Sequence, residues 1–285
     1  GKGIAYAVFD GHNSGDMQAY VYKTSDFGIT WTNIITDNII GTSRNIQEDY
    51  ENENLLFLGT EFGLYITADG GNHWEKFTKN VPPVAIHFID LQKQTNDLVL
   101  GTHGRGIIII DDISPLREIN AEVLKAKLHF FSSKPMKLSD ESGFAGSFGA
   151  ETQFVGENAN RSPQIKYLLP KRHTFGKMSM EIKNSKGEVV SKLSPGKSKG
   201  INIVNWSGNT RQPKVAKGKT LAFGGFATPR VQAGSYTAVI TKGRDVYEHT
   251  FEIVYDERSG LTSADRKMKH EIMSKMYKMT EELAY

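Results

Sequence analysis

Cysteine is absent from all 285 residues, which excludes disulfides, thiolate nucleophiles and cysteine-ligated metal together. The absence leaves the compartment open, since bacterial envelope proteins also do without disulfides. Long apolar runs are missing too: the longest, Ile4 to Phe9, is far too short to span a bilayer. Charge of one sign is not in excess, because 35 basic and 32 acidic side chains leave a formal net charge of +3. That balance gives no electrostatic case for nucleic acid or an anionic membrane. There is no glycine-rich phosphate loop, no His-Glu-x-x-His and no Gly-x-Ser-x-Gly elbow. The eight histidines are scattered without metal-ligand spacing, so neither a metal nor a cofactor is expected. The chain opens at Gly1 without methionine or a signal-peptide pattern, and a processed or truncated piece is expected.

A repeat is present. Ser25-Asp26-Phe27-Gly28-Ile29-Thr30-Trp31 is echoed by Ala68-Asp69-Gly70-Gly71-Asn72-His73-Trp74, with aspartates and tryptophans each 43 residues apart. Leu56-Phe57-Leu58-Gly59-Thr60 is echoed by Leu98-Val99-Leu100-Gly101-Thr102, the glycines 42 residues apart. Two landmarks thus give one period, of the length of a four-stranded propeller blade. Each repeat carries a hairpin pattern: Ile4–Phe9 with Ala19–Thr24, Leu55–Thr60 with Leu64–Thr67, and Leu98–Thr102 with Gly106–Asp111. In the last repeat Asp111-Asp112-Ile113-Ser114-Pro115 stands where the aspartate turn belongs, without its glycine and tryptophan.

The two turns resemble the Asp box, Ser-x-Asp-x-Gly-x-Thr-Trp, of sialidase-like, sortilin-like and xyloglucanase-type propellers, with Thr24 and Thr67 in the serine place. Gly101-Thr102-His103-Gly104-Arg105-Gly106, followed by Asp111 to Leu116, resembles the last blades of large bacterial BNR-repeat proteins, sortilin-like and often labelled glycosyl hydrolase. The resemblance implies structural roles for Thr24, Asp26, Gly28, Trp31, Thr67, Asp69, Gly71 and Trp74. The carboxylate accepts turn N–H groups, glycine takes a positive φ and tryptophan packs between blades. Two and a half repeats cannot close a ring. Completing blades are therefore expected upstream or on another chain.

Beyond Leu116 the repeat fades. Glu118–Lys127 reads as a short helix and Leu128–Phe131 as a strand, before a Gly- and Ser-rich connection, Ser139–Gly156, dotted with Phe144, Phe148 and Phe154. Strand patterns resume at Gln164–Leu169, Lys177–Lys183, Glu188–Leu193, Gly200–Trp206, Gly234–Thr241 and Val246–Tyr255, arguing a β-sandwich. Gly187-Glu188-Val189-Val190, Asn205-Trp206 and Ala233-Gly234-Ser235-Tyr236 resemble the immunoglobulin-like domains appended to bacterial secreted proteins, with Trp206 and Tyr236 as core anchors. After Asp256, Met268, Ile272, Met276, Met279 and Leu283 recur at helical spacing. This amphipathic stripe is expected to pack on its own domain or the propeller, with a partner-binding face as the alternative.

The expected fold is mainly β: blades of a propeller over 1–117, a connection over 118–156, an immunoglobulin-like sandwich over 157–256 and a helix over 257–285. Glu61 in one hairpin turn, and His103 and Arg105 in the equivalent turn of the next repeat, are expected to share one face. Arg105 there is a candidate for a carboxylate or sugar. Asp10 and His12, on the longer first hairpin loop, form a second polar candidate. The resemblance implies a non-catalytic binding protein or scaffold, secreted or in the bacterial cell envelope, engaging protein or peptide, or polysaccharide. The alternative is a xyloglucanase-like glycoside hydrolase with paired carboxylates on blades outside this chain. No sialidase arginine triad can be assembled from the residues present.

Overall fold

A computed structural model describes residues 3–138, 162–215, 228–256 and 260–283. The chain forms two compact units, Gly1–Lys125 and Ala126–Tyr285, and is mainly β.

The first unit holds three antiparallel sheets in chain order. The first contains β1 (Ala5–Phe9), β2 (Tyr20–Thr24) and β3 (Thr32–Asn33); the second, β4 (Ser43–Glu48), β5 (Leu56–Thr60), β6 (Gly63–Thr67) and β7 (Glu75–Phe77). The third contains β8 (Ile86–Gln92), β9 (Asp97–Thr102) and β10 (Ile107–Ile110), followed by α1 (Ser114–Arg117) and α2 (Ala121–Lys125). The hairpins expected from the sequence form within a residue or two of their expected bounds. Registers are equivalent: Ala7 faces Tyr22, Leu58 faces Tyr65 and Leu100 faces Ile108. Among the described residues the second sheet has four strands, and the first and third have three each.

Strand alternation gives each sheet two faces. We call the face carrying Tyr22, Tyr65 and Ile108 the front, and the other the back. The back of the first sheet (Tyr6, Val8, Val21) covers the front of the second (Leu56, Leu58, Tyr65, Trp74) in one apolar cluster. The back of the second (Phe57, Leu64, Ile66, Phe77) covers the front of the third (Leu98, Leu100, Ile108, Ile110) in another. The stacking is therefore directional, back onto front.

In the second unit β11 (His129–Phe130), β13 (Gln164–Leu169) and β16 (Gly200–Asn205) make one sheet. The other has β12 (Met136–Leu138), β14 (Met178–Asn184), β15 (Val189–Leu193), β17 (Gly234–Lys242) and β18 (Asp245–Tyr255). Ile165 and Tyr167 from the first sheet and Met180, Ile240 and Phe251 from the second fill one shared core. Trp206 is fully buried in it, edge-on to Tyr236 at 5.8 Å, with its indole N–H donated to the Asn209 carbonyl at 3.1 Å. β12 pairs parallel to β18, a pairing that no local pattern announces. The connection Ser139–Gly156 lies outside the described residues, as do residues 216–220 of the loop after Trp206.

α3 (Ser263–Leu283) departs from expectation. Its apolar stripe, Met268, Ile272, Met276, Met279 and Leu283, is exposed. The helix instead seats a polar side: His270 meets the Arg230 carbonyl at 3.2 Å, and Glu281 accepts the Lys214 N–H at 3.0 Å. Helical periodicity reports that a stripe exists, not which side is covered.

Candidate functional site

The two aspartate turns are built alike from local chemistry. In the first, the Thr24 hydroxyl donates to Asp26 at 2.7 Å and accepts the Gly28 N–H at 2.9 Å; the Asp26 carboxylate accepts the Thr30 N–H at 2.9 Å and its hydroxyl at 2.6 Å. In the second, Thr67 donates to Asp69 at 2.7 Å and accepts the Gly71 N–H at 3.1 Å; Asp69 accepts the His73 N–H at 2.9 Å and contacts His73 Nδ1 at 2.6 Å. The Thr30 hydroxyl, then the Thr30 N–H and the Thr24 hydroxyl, hold the Asp26 carboxyl down to about 2. Burial pushes Asp69 up, but hydrogen bonds from His73 and Thr67 outweigh it and leave its carboxyl below the usual range. Both carboxylates are consumed by their own turns.

Beyond the turns, the tryptophans seat differently. Trp74 is 2% exposed, its indole N–H donated across the sheet-to-sheet boundary to the Ile34 carbonyl at 2.7 Å. Trp31 is 44% exposed. It lines an open depression of about 690 Å³ with Ala7, Phe9, Tyr20 and Tyr22 on the front of the first sheet.

The hairpin loops form a polar rim. Asp10 and His12 lie on the β1–β2 loop, where His12 Nδ1 sits 2.8 Å from Asp10 and the His12 N–H donates to it at 3.0 Å. Glu61 lies in the β5–β6 turn. Arg44, on β4, is ion-paired to both Asp10 and Glu61 and so joins the two candidates. Burial pushes the Asp10 carboxyl up, but His12 and then Arg44 outweigh it and hold it below the usual range. His103, in the β9–β10 turn, stacks on His87 with ring centroids 5.6 Å apart, and its N–H donates to the Ala85 carbonyl at 2.9 Å. Arg105, two residues on, is exposed and makes no ion pair among the described residues. The structure thus brings Asp10, His12 and Glu61 together, while among the described residues no hydrogen bond ties His103 or Arg105 to them. Sequence reasoning missed Arg44 and His87, both on strands where nothing local marks them.

A second missed cluster closes the first unit. The Arg117 guanidinium, at the end of α1, is nearly buried and forks onto the fully buried Asp49 with contacts of 2.9 to 3.1 Å. It also donates to Asn96 and Glu51 at 2.9 Å each and lies 4.6 Å from the centre of the Tyr50 ring. Desolvation works against the Arg117 charge, but Asp49, Tyr50 and Glu51 outweigh it and raise its pKa. This clasp ties the β4–β5 and β8–β9 turns to the segment that leaves the repeat.

Among the described residues no group of three or more His, Cys, Asp or Glu side chains is arranged to hold a metal ion. No described helix is long and apolar enough to cross a membrane.

No family model and no curated protein matches the chain. Solved structures give weak likenesses. YCF48 bound to D1 peptide is 18% identical over 32% of this chain and 30% of its own, with a TM-score of 0.26. PorZ, a bacterial surface component of the type-IX secretion system of Porphyromonas gingivalis, is 15% identical over 80% of this chain and 24% of its own, at 0.25. The extracellular domain of the one-component system BT4673 from B. thetaiotaomicron is 9% identical over 83% of this chain and 28% of its own, at 0.26. The chain spans less than a third of each of these. Likenesses of this size assign no fold family.

Proposed function

We propose that the first unit is a run of Asp-box propeller blades whose hairpin rim binds protein or peptide, and that the chain is a non-catalytic binding protein or scaffold. The supporting observation is the rim itself: two successive sheets present Asp10, His12 and Glu61 joined by Arg44, and the third presents the exposed Arg105. An exposed guanidinium in a glycine-flanked turn offers a planar fork to a peptide carboxylate. The 43-residue period and the directional stacking of like sheets support the blade reading. In that reading the second unit is an immunoglobulin-like sandwich, and further blades in the same polypeptide or another complete the ring. Placement outside the cytoplasm, in the envelope or secreted, rests on the resemblance of the Asp boxes and of the sandwich to secreted bacterial proteins.

The test is an array of short acidic and neutral peptides probed with the chain. Binding should favour carboxylate-bearing peptides and fall roughly tenfold, about 1.4 kcal/mol, in Arg105→Ala. Binding unchanged in both Arg105→Ala and Glu61→Gln would remove the rim from the account.

A further inference from the structure

The second unit gathers at one end a charge that the chain as a whole does not show. In its smaller sheet β13 ends beside the start of β16, Leu169 facing Gly200, and β11 begins there too, His129 facing Leu168. In its larger sheet β14 starts where β17 ends, Met178 facing Lys242, and β15 finishes beside them, Leu193 facing Met180. Residues 170–177 join β13 to β14 and residues 194–199 join β15 to β16, so both sheets turn over at the same end. Hydrogen bonds tie these connections together. The His173 N–H donates to the Lys197 carbonyl at 2.9 Å and the Gly243 N–H to the Lys177 carbonyl at 3.2 Å. Lys242 Nζ donates to the Lys127 carbonyl at 3.0 Å.

The first connection carries Lys171, Arg172 and Lys177, and the second Lys197 and Lys199. The β17–β18 turn adds Lys242 and Arg244, and Lys127 stands just before β11. Against these eight cations stands one acid, Asp245, already held by Lys127 at 3.0 Å. The other cations make no ion pair among the described residues, and all but Lys242 are exposed. This end therefore carries more positive charge than the +3 of the entire chain. The average that argued against an anionic surface conceals a local field. Between Arg172 and Lys177 the Phe175 ring stands 87% exposed.

We infer that this end of the second unit docks on an anionic lipid bilayer, its cations on headgroup phosphates and the Phe175 ring in the interface. Lysine and arginine close to a negative leaflet are drawn to it over about a Debye length. Lasting peripheral attachment needs a second, apolar contact, and the ring supplies it. A soluble polyanion matches the charge but offers no apolar phase for Phe175. None of these residues belongs to the rim of the first unit, so the two readings fail independently.

The chain should be co-sedimented with vesicles of phosphatidylcholine containing roughly a third phosphatidylglycerol, and with vesicles of phosphatidylcholine alone. It should bind the first and not the second, and added salt should release it. Arg172→Glu with Lys197→Glu should weaken binding at least roughly tenfold. The ties through His173 and Lys197 use backbone groups, so the loops keep them in this variant. Lys79→Glu with Lys186→Glu makes the same change in net charge at exposed positions elsewhere and should leave binding intact. Phe175→Trp should shift its emission to the blue on anionic vesicles, and Phe175→Ala should weaken binding at least about threefold. Thermal melts check that each variant folds. Equal binding to neutral vesicles, no binding to anionic ones, or equal losses in both charge-reversed pairs overturns the proposal. So does binding to heparin or single-stranded DNA that matches vesicle binding while Phe175→Trp shows no shift, since charge alone would then decide.

Discussion

Trp31 and Trp74 hold the same station in two consecutive repeats, yet one is 44% and the other 2% exposed. Their turns carry the same threonine and aspartate hydrogen bonds, so the difference comes from what stands next to each sheet. Burial, not local conformation, should then decide what each contributes. Trp74→Ala should cost about 3 to 5 kcal/mol as a buried aromatic truncation. Trp31→Ala should cost less than about 1 kcal/mol in the dilute chain. Urea denaturation of the two variants checks this, and equal losses would contradict it.

The glycines of the turns should divide the same way. Gly28 and Gly71 have φ of 87° and 103°, so alanine strains both by about 1 kcal/mol. At Gly71 the added Cβ would also stand 2.9 Å from Ile34 Cβ, whereas at Gly28 it meets only the Trp31 ring at 3.9 Å. Gly71→Ala should therefore destabilise at least about twice as much as Gly28→Ala, as read by thermal melts.

Acid should loosen the first unit in a defined window. Asp26 is held at about 2 against an ordinary value of 3.8, and Asp69 is lowered as well. A carboxyl depressed in the folded state stabilises fully above its unfolded value, and that contribution is lost as pH falls through the folded value. Stability should decline as pH drops from about 4 towards about 2, and Asp26→Asn should flatten the decline. Carboxyl NMR titration reads the values directly; an Asp26 midpoint near 3.8 would refute the turn chemistry.

Arg117 carries a separate expectation. Removing it leaves Asp49 buried without its counter-ion, so Arg117→Ala should cost about 3 kcal/mol. Arg117→Lys should recover little of this, because an ammonium cannot reproduce the fork onto Asp49 while also reaching Asn96 and Glu51. Urea midpoints of the two variants test it. Full recovery by lysine would mean that charge alone matters.

What the sequence disclosed follows from the range of the interactions. Thr24 and Asp26, or Thr67 and Asp69, are neighbours in the chain, so their turns can be read from a few letters. The strands around them follow from alternation and glycine. Arg44 meets Asp10 and Glu61 at separations of 34 and 17 residues, and Arg117 meets Asp49 at 68. Such partners are chosen by how the sheets stack, and no local pattern carries that information. The parallel pairing of β12 with β18 is equally non-local. The helical stripe was legible in α3, but its exposure depends on the polar contacts of His270 and Glu281 with distant loops.

At both boundaries of the first unit the back of one sheet meets the front of the next, and Trp31 on the front of the first sheet is exposed. Iodide quenching of the dilute chain, with Trp31→Phe and Trp74→Phe beside it, reads this arrangement. One of the three tryptophans should be accessible, and Trp31→Phe should abolish the quenchable emission while Trp74→Phe leaves it intact. Quenchable emission that survives Trp31→Phe, or that disappears with Trp74→Phe, would contradict the stack.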